Sequence, residues 1–433
     1  MDECIKLIKE FRSMIRFIRE EDFGAVLMDN RTQLYYVNET VSKILKDLIE
    51  TDEEDIHRML KEKYNEEMIM KLTNLIKEYV TLLKKPHSIE DNYEFVAQKT
   101  LFSKNQFLKN PLVVSLQIMD TCNFKCIHCY TKSGSDNKNI ISFEQIKMIV
   151  NQLKEMNIFR IGITGGEPLL HPDICKIVKY ISDSGINVVI NCNGFFLTEE
   201  MCINLKNSGL DHIHFSIDGV KGTNNYIRGN DKAYDKAIQS LDMALKLGLR
   251  PEIYFTCMKP NINELEDIIQ IAKDKKVVIL VKRFIPMGRG KDNSKYVLDK
   301  KEYEKMLKVI KNSQLKLKYS ELIHIDDCYP SNNSGSRNCI INNKVIMSIN
   351  AKGDVYTCPY IQEDKFLLGN VFKEQIKEIY EKISESILAN IREKDLPEKC
   401  QKCEEIKACF GGCRAYSYGT SNDLFGFDEL CLK

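Results

Sequence analysis

The sequence predicts an α/β protein built on a curved parallel sheet of six βα units. Three observations carry that expectation. From Pro111 onward, short apolar runs alternate with amphipathic segments: Val113–Asp120, Phe159–Gly165, Asn187–Asn193, His212–Asp218, Arg250–Met258 and Val277–Pro286 read as strands. These runs recur every ~25–45 residues, the spacing of βα units with short connections. Six units fall short of the eight that close a full barrel, so the sheet should be curved but partial.

The segment Ser142–Asn157 shows why the intervening stretches should be helical. Ser142 is a natural N-cap, and Gln145 three residues on completes a capping box. The last helix of the alternation should run about Lys300–Gln314. Before the alternation, residues 1–20 read as one short helix, with Ile5, Leu7, Ile8, Phe11, Ile15 and Ile18 on one face. In Gly24–Asn38, two apolar runs flank Asp29-Asn30-Arg31-Thr32, which suggests a hairpin. Helical spacing follows at Val41, Ile44, Leu45 and Leu48, and again from Met68 to Val80. Residues 23–84 thus read as a small hairpin-plus-helices domain, or else as an N-terminal cap on the main domain, and residues 85–110 as a linker. After about residue 320 the alternation stops. A hairpin is expected over Lys344–Cys358, turning near Gly353, with one helix near Glu374–Arg392. This cysteine-dense third unit, 320–433, is too loop-rich for a large core, so metal sites should supply stability.

Composition narrows the function. The chain has 433 residues, 43% of them hydrophobic, enough for two or three domains. Lys+Arg 63 against Asp+Glu 62 leaves a formal net charge of +1, which argues against a nucleic-acid binder working through a basic surface. No apolar run approaches the ~20 residues of a membrane span. The start, with acids at Asp2 and Glu3 and no apolar stretch, is not a secretory signal, so a cytoplasmic protein is expected. The 16 cysteines are then thiolates rather than disulfides, and clustered thiolates mean metal.

The first cluster is Cys122, Cys126 and Cys129, directly after the first strand of the sheet. Functional sites of parallel α/β sheets lie at that end of the strands. Three close thiolates can hold three irons of a cubane and leave the fourth open to a small molecule. The alternative is a zinc site borrowing His128. Thr164-Gly165-Gly166-Glu167 ends the second strand, where two glycines could let a ligand approach and the carboxylate could bind an ammonium group. Ser216 and Asp218 end the fourth strand, and Arg228 follows. Together these line one rim.

At this point the chain resembles the radical S-adenosylmethionine (radical SAM) enzymes over about residues 110–310. The Cx3Cx2C loop matches their cluster motif. Gly165-Gly166-Glu167 matches the segment that holds the methionine amino group, Ser216 and Asp218 the strand end near the ribose, and Arg228 the residue meeting the methionine carboxylate. Tyr130 and Asn193 join the expected cofactor contacts. Arg283–Gly290 resembles the family's sixth-strand segment. The C-terminal cysteines, with the run Phe410-Gly411-Gly412-Cys413-Arg414-Ala415, resemble the SPASM extension. That resemblance implies two auxiliary [4Fe–4S] clusters beside the SAM-binding one. Cys400, Cys403, Cys409 and Cys431 would hold one. Cys339, Cys358 and Cys413 would hold the other, with Cys328 as the best candidate for its fourth ligand or else an iron open to substrate. Cys4, Cys175, Cys192, Cys202 and Cys257 read as buried apolar thiols. His171, His212 and His214 read as structural. No catalytic acid or base stands out.

Residues 1–100 resemble the winged-helix-like recognition element of peptide-maturing enzymes, which pairs a leader peptide with a strand edge. The resemblance implies a maturase that uses a 5′-deoxyadenosyl radical to abstract hydrogen from a precursor peptide. An intramolecular thioether or carbon–carbon crosslink would follow. A flavodoxin or ferredoxin would donate electrons, and neither membrane nor nucleic acid is an expected partner. Alternatives are formylglycine formation as in sulfatase maturation, peptide epimerisation and small-molecule dehydrogenation. An electron carrier would explain the cysteines but not Gly165–Glu167 or Ser216–Asp218 on the same rim.

Overall fold

The computed structural model describes residues 1–22, 24–29, 34–84, 108–315, 323–325, 345–388, 390–409 and 411–433. The expected turn at 30–32, most of the linker, Cys328, Cys339 and Phe410 lie outside them. The chain divides into two compact units, one from Met1–Lys109 and one from Asn110 onward.

The first unit opens with the helix Asp2–Met14, whose Cys4, Ile8 and Phe11 are buried on one face. The helix stops earlier than the sequence predicts. Ile15–Glu21 is a strand, β1, antiparallel to β2 (Gly24–Asp29), which pairs with β3 (Leu34–Asn38). Ile15 and Ile18 fitted a helical face, but the branched and aromatic run IRFI also favours a strand, and pairing with β2 decides the contest. The helices Glu39–Glu50, Ile56–Lys63 and Glu66–Lys84 follow. Leu45, Leu48, Ile56, Leu60, Leu72 and Ile76 complete this unit's core. Arg19 and Glu21 form a buried ion pair at 2.6 Å, and Glu21 Oε2 also accepts the Lys109 backbone N–H at 2.7 Å.

In the second unit the six expected strands form in parallel: β4 (Val113–Gln117), β5 (Arg160–Thr164), β6 (Asn187–Cys192), β7 (His212–Ser216), β8 (Pro251–Cys257) and β9 (Val278–Arg283). A short β10 (Ile323–Ile325) adds parallel to β9. The helix Phe143–Glu155 carries the predicted capping box on Ser142 and Gln145. Ile146, Ile149, Val150 and Leu153 of that helix are buried against the sheet, as helical spacing requires.

The C-terminal hairpin forms as β11 (Ile346–Ile349) and β12 (Asp354–Tyr356), with Gly353 at φ +81° in the turn. Its placement was not legible in the sequence. β11 pairs in parallel with β4, and β13 (Gly369–Asn370) follows β12, so one ten-stranded sheet runs through the unit. The helix expected at 374–392 is shorter: Ile376–Glu381, then a 3-10 turn over Lys382–Glu385. Ser386 is extended, and its hydroxyl accepts the Leu388 N–H at 3.3 Å, local bonding that competes with helix. No helix among the described residues is long and apolar enough to cross a membrane.

Candidate functional site

The cysteine loop leaves β4 and is clamped from three sides. Cys122 N–H donates to Gly134 O at 3.1 Å, and Ile127 N–H to Ile227 O at 3.0 Å. Arg289 reaches back from the segment after β9, donating through Nη1 to Cys126 O at 2.9 Å and through its N–H to Cys129 O at 2.8 Å. Gly288, at φ +57°, passes so close that a Cβ there would lie 2.1 Å from Tyr130 O. The run Arg283–Gly290 therefore serves as a brace for the loop.

The structure gives a second reason for the glycines of Gly165-Gly166-Glu167, besides the ligand approach the sequence suggested. A Cβ on Gly165 would stand 2.4 Å from Met119 O, and one on Gly166 2.0 Å from Thr121 O. What approaches them is the backbone entering the cysteine loop. Gly166 N–H donates to Met119 O at 2.8 Å and Glu167 N–H to Thr121 O at 2.9 Å. Glu167 is then buried with its oxygens directed to Leu169 N–H at 3.0 Å and Asn193 N–H at 2.7 Å. Burial pushes its pKa up to about 7.

Cys122, Cys126, Cys129, Tyr130, Gly165, Gly166, Glu167, Asn193, Ser216 and Arg228 all line one cavity of ≈ 620 Å³. Asp218 does not. It is fully buried, and its Oδ1 accepts the Thr256 N–H at 2.8 Å. Its Oδ2 pairs with Arg228 Nη2 and stands 3.4 Å from His128 Nε2. A carboxylate taken out of water needs such partners, and here they aim Arg228 at the cavity. Arg228 Nη1 lies 3.9 Å from Cys126 Sγ, and its buried Nε has no hydrogen-bond partner. Tyr130 packs against Tyr360 at 5.0 Å between ring centroids and hydrogen-bonds with Thr164.

These residues fit a cluster with a zwitterionic ligand. Three thiols of one loop face one cavity, beside a buried carboxylate and a guanidinium with a donor to spare. Burial pushes Cys122 up to about 12 and Cys126 to about 11, values that a bound cation reverses. Burial holds His128 down to about 4, so its imidazole is neutral; it lines the same cavity with Nε2 3.4 Å from Asp218 Oδ2. No three Cys, His, Asp or Glu side chains among the described residues converge on a single-ion point.

The second cysteine set is also assembled. Cys400, Cys403, Cys409 and Cys431 line a cavity of ≈ 330 Å³ together with Asp428 and Phe427. Cys358 and Cys413, from separate segments, are close enough for the Cys413 charge to add to burial in pushing Cys358 up to about 12. Of the isolated cysteines, Cys4, Cys192, Cys202 and Cys257 are buried, but Cys175 is only half-buried and Cys192 lines the large cavity.

Matches to two domain families decide the assignment: the radical SAM superfamily over residues 116–275 and the iron–sulfur cluster-binding SPASM domain over residues 339–404. The chain carries a radical SAM domain and a SPASM domain. It is a radical SAM enzyme, with S-adenosylmethionine and iron–sulfur clusters as cofactors. Among curated relatives, the mycofactocin maturase MftC of Mycolicibacterium smegmatis is 26% identical over 330 residues, 75% of this chain and 84% of that protein. An AdoMet-dependent heme synthase of Methanosarcina barkeri is 25% identical over 345 residues, 74% of this chain and 96% of that protein. Among solved structures, Streptococcus suis SuiB bound to precursor peptide SuiA shares the fold at TM-score 0.71. It is 16% identical and covers 98% of this chain and 99% of its own. The structure of anSMEcpe with bound AdoMet and the Cp18Cys peptide aligns at TM-score 0.61 and 21% identity, over 74% of this chain and 94% of its own.

Sequence reasoning missed part of this radical SAM cavity. Asn191, His214, Tyr254, Thr256 and Lys282 line it, at positions the sequence analysis did not assign to the site. His214, expected to be structural, stacks on Tyr254 at 4.3 Å, with Nδ1 2.8 Å from Asn191 Oδ1 and Nε2 3.1 Å from Glu252 Oε2. The signal was present as polar residues at every second position: Asn191 and Asn193, His214 and Ser216, Tyr254 and Thr256.

Proposed function

We propose that this enzyme matures a ribosomally made precursor peptide, closing an intramolecular crosslink, thioether or carbon–carbon. The observation that carries this reading is the extent of the fold likeness. The alignment to SuiB, a structure with its precursor peptide bound, runs over 98% of this chain and so takes in the N-terminal unit as well as the radical SAM and SPASM portions. The relationship to a mycofactocin maturase supports it.

In this reading Cys122, Cys126 and Cys129 hold the SAM-binding [4Fe–4S] cluster. Glu167 accepts the ammonium group of S-adenosylmethionine, and Arg228, aimed by Asp218, meets its carboxylate. Cofactor and cluster together supply reductive sulfonium cleavage and a carbon radical able to take hydrogen from an unactivated carbon. Gly162, Asn191, His214, Tyr254 and Lys282 shape the space for the substrate residue and keep water from it. The C-terminal cysteines hold two auxiliary clusters, and a flavodoxin or ferredoxin is the electron donor. The leader peptide adds to β3, which pairs with β2 alone and so is an edge strand among the described residues.

The test is intact mass. The chain is co-expressed anaerobically with each short peptide encoded beside it, and each peptide is weighed. Loss of two hydrogens per modification is the expected result, and thiol alkylation then separates thioether from carbon–carbon products. Unchanged mass with every peptide overturns crosslinking. An aldehyde in the product points instead to formylglycine chemistry.

A further inference from the structure

Arg283 and Asp428 stand in the wall between the two cysteine-lined cavities. Arg283 ends β9 and lines the large cavity. Asp428 lines the cavity of Cys400, Cys403, Cys409 and Cys431. Both side chains are almost fully withdrawn from solvent, at 3% and 2% exposure. They meet as a fork, Nη1 to Oδ1 at 3.1 Å and Nη2 to Oδ2 at 2.8 Å. The guanidinium also lies over the Tyr416 ring at 4.4 Å.

Asp428 touches both auxiliary cysteine sets at once. Its Oδ2 accepts the Cys413 N–H at 3.4 Å, and its main-chain carbonyl accepts the Cys431 N–H at 2.8 Å. Gly412, at φ +81°, has no Cβ because one would stand 2.8 Å from Oδ2. A buried ion pair is a costly way to hold two segments together, since apolar residues of similar volume would pack at least as well. Its distinguishing property is charge beside the cysteines, in surroundings that screen weakly.

We infer that Arg283 and Asp428 are positioning residues that set the reduction potential of the auxiliary clusters through their opposed charges, coupling those clusters to the wall of the reaction cavity. This rests on the reading of the C-terminal cysteines as cluster ligands. Reduction adds a negative charge to a cluster. The Asp428 carboxylate opposes that addition and the Arg283 guanidinium favours it, so the intact pair largely cancels.

The sign of each variant follows. Asp428→Asn keeps the shape and removes the carboxylate's negative charge, so the auxiliary potential moves positive. Arg283→Gln removes the guanidinium's positive charge, so it moves negative. The double variant returns toward the unsubstituted value. The measurement is a redox titration followed by electron paramagnetic resonance on the reconstituted full-length chain, with iron content determined in parallel. Opposite shifts in the single variants, larger for the auxiliary signals than for the cluster at Cys122, Cys126 and Cys129, are the expected result. Shifts of one sign, or none at full iron content, overturn the inference. Should either variant fail to hold its iron, Arg283→Lys decides. A potential near the unsubstituted one supports a charge effect, and a shift as large as that of Arg283→Gln overturns it. Auxiliary iron missing from the unsubstituted protein would instead defeat the ligand assignment on which the inference rests.

Discussion

Gly166 and Thr121 are held so close that a single added methyl at Gly166 would lie 2.0 Å from the Thr121 carbonyl oxygen. The neighbour is backbone and has no flexible end to move aside. Gly166→Ala must therefore displace the entry to the cysteine loop. Overpacking of this kind costs about 1–3 kcal/mol. The expected outcome is a lower denaturation midpoint and loss of iron from the first cluster, with auxiliary iron retained. Full iron content at unchanged stability would contradict the contact.

Cys126 stands beside Arg228 in the same cavity as Cys122 and Cys129. Cys126→Ala removes one of the three thiols and should abolish 5′-deoxyadenosine formation with dithionite, while the C-terminal sites keep their iron. Chromatography of the nucleoside and iron analysis check the two halves separately. Normal turnover in this variant would sink the assignment of the first site.

Cys431 belongs with Cys400, Cys403 and Cys409 around the smaller cavity. Cys431→Ala should lower auxiliary iron without removing the first cluster. An unchanged iron content and auxiliary spectrum would show that Cys431 is not a ligand.

Glu167 offers a prediction in pH. Burial raises its carboxyl from 4.5 to about 7. The folded chain then keeps a proton that the unfolded chain releases, so stability is greatest below about 4.5 and falls as pH rises toward 7. The cost above that window is on the order of 3 kcal/mol for such a shift. Denaturant midpoints of the cofactor-free protein at pH 5 and pH 8 should converge in Glu167→Gln, which should also bind S-adenosylmethionine more weakly. An identical pH slope in both proteins would show that another group controls it.

Much of the fold was legible because its signals are local. Six strands appear within a few residues of their expected bounds, and Ser142 caps its helix as the capping box implies. Most of the residues expected along one rim do line one cavity, because they fall at strand ends in fixed spacing. The misses are contests or long-range pairings. Ile15–Glu21 suits helix and strand alike until β2 supplies a partner. Nothing near Ile346 announces that it pairs beside Val113, and nothing near Asp428 announces Arg283. Asp218 was expected near a ribose because its position matches a motif. Its burial and its pairing with Arg228 are properties of the assembled loop, which spacing alone does not reveal.

The pairing of β11 with β4 has a consequence for how the chain is made. β4 is the first strand of its sheet to leave the ribosome, and one of its neighbours, β11, is among the last. While everything between Val113 and Ile346 is being synthesised, that flank of β4 has open hydrogen-bonding groups, beside the very loop that must collect iron. Such an edge invites pairing with other chains, and contacts so distant in sequence form slowly. A chain stopped before Ile346 should therefore aggregate rather than persist as a smaller enzyme. Slow, cool expression, in which nascent chains meet less often, should raise the yield of full-length protein.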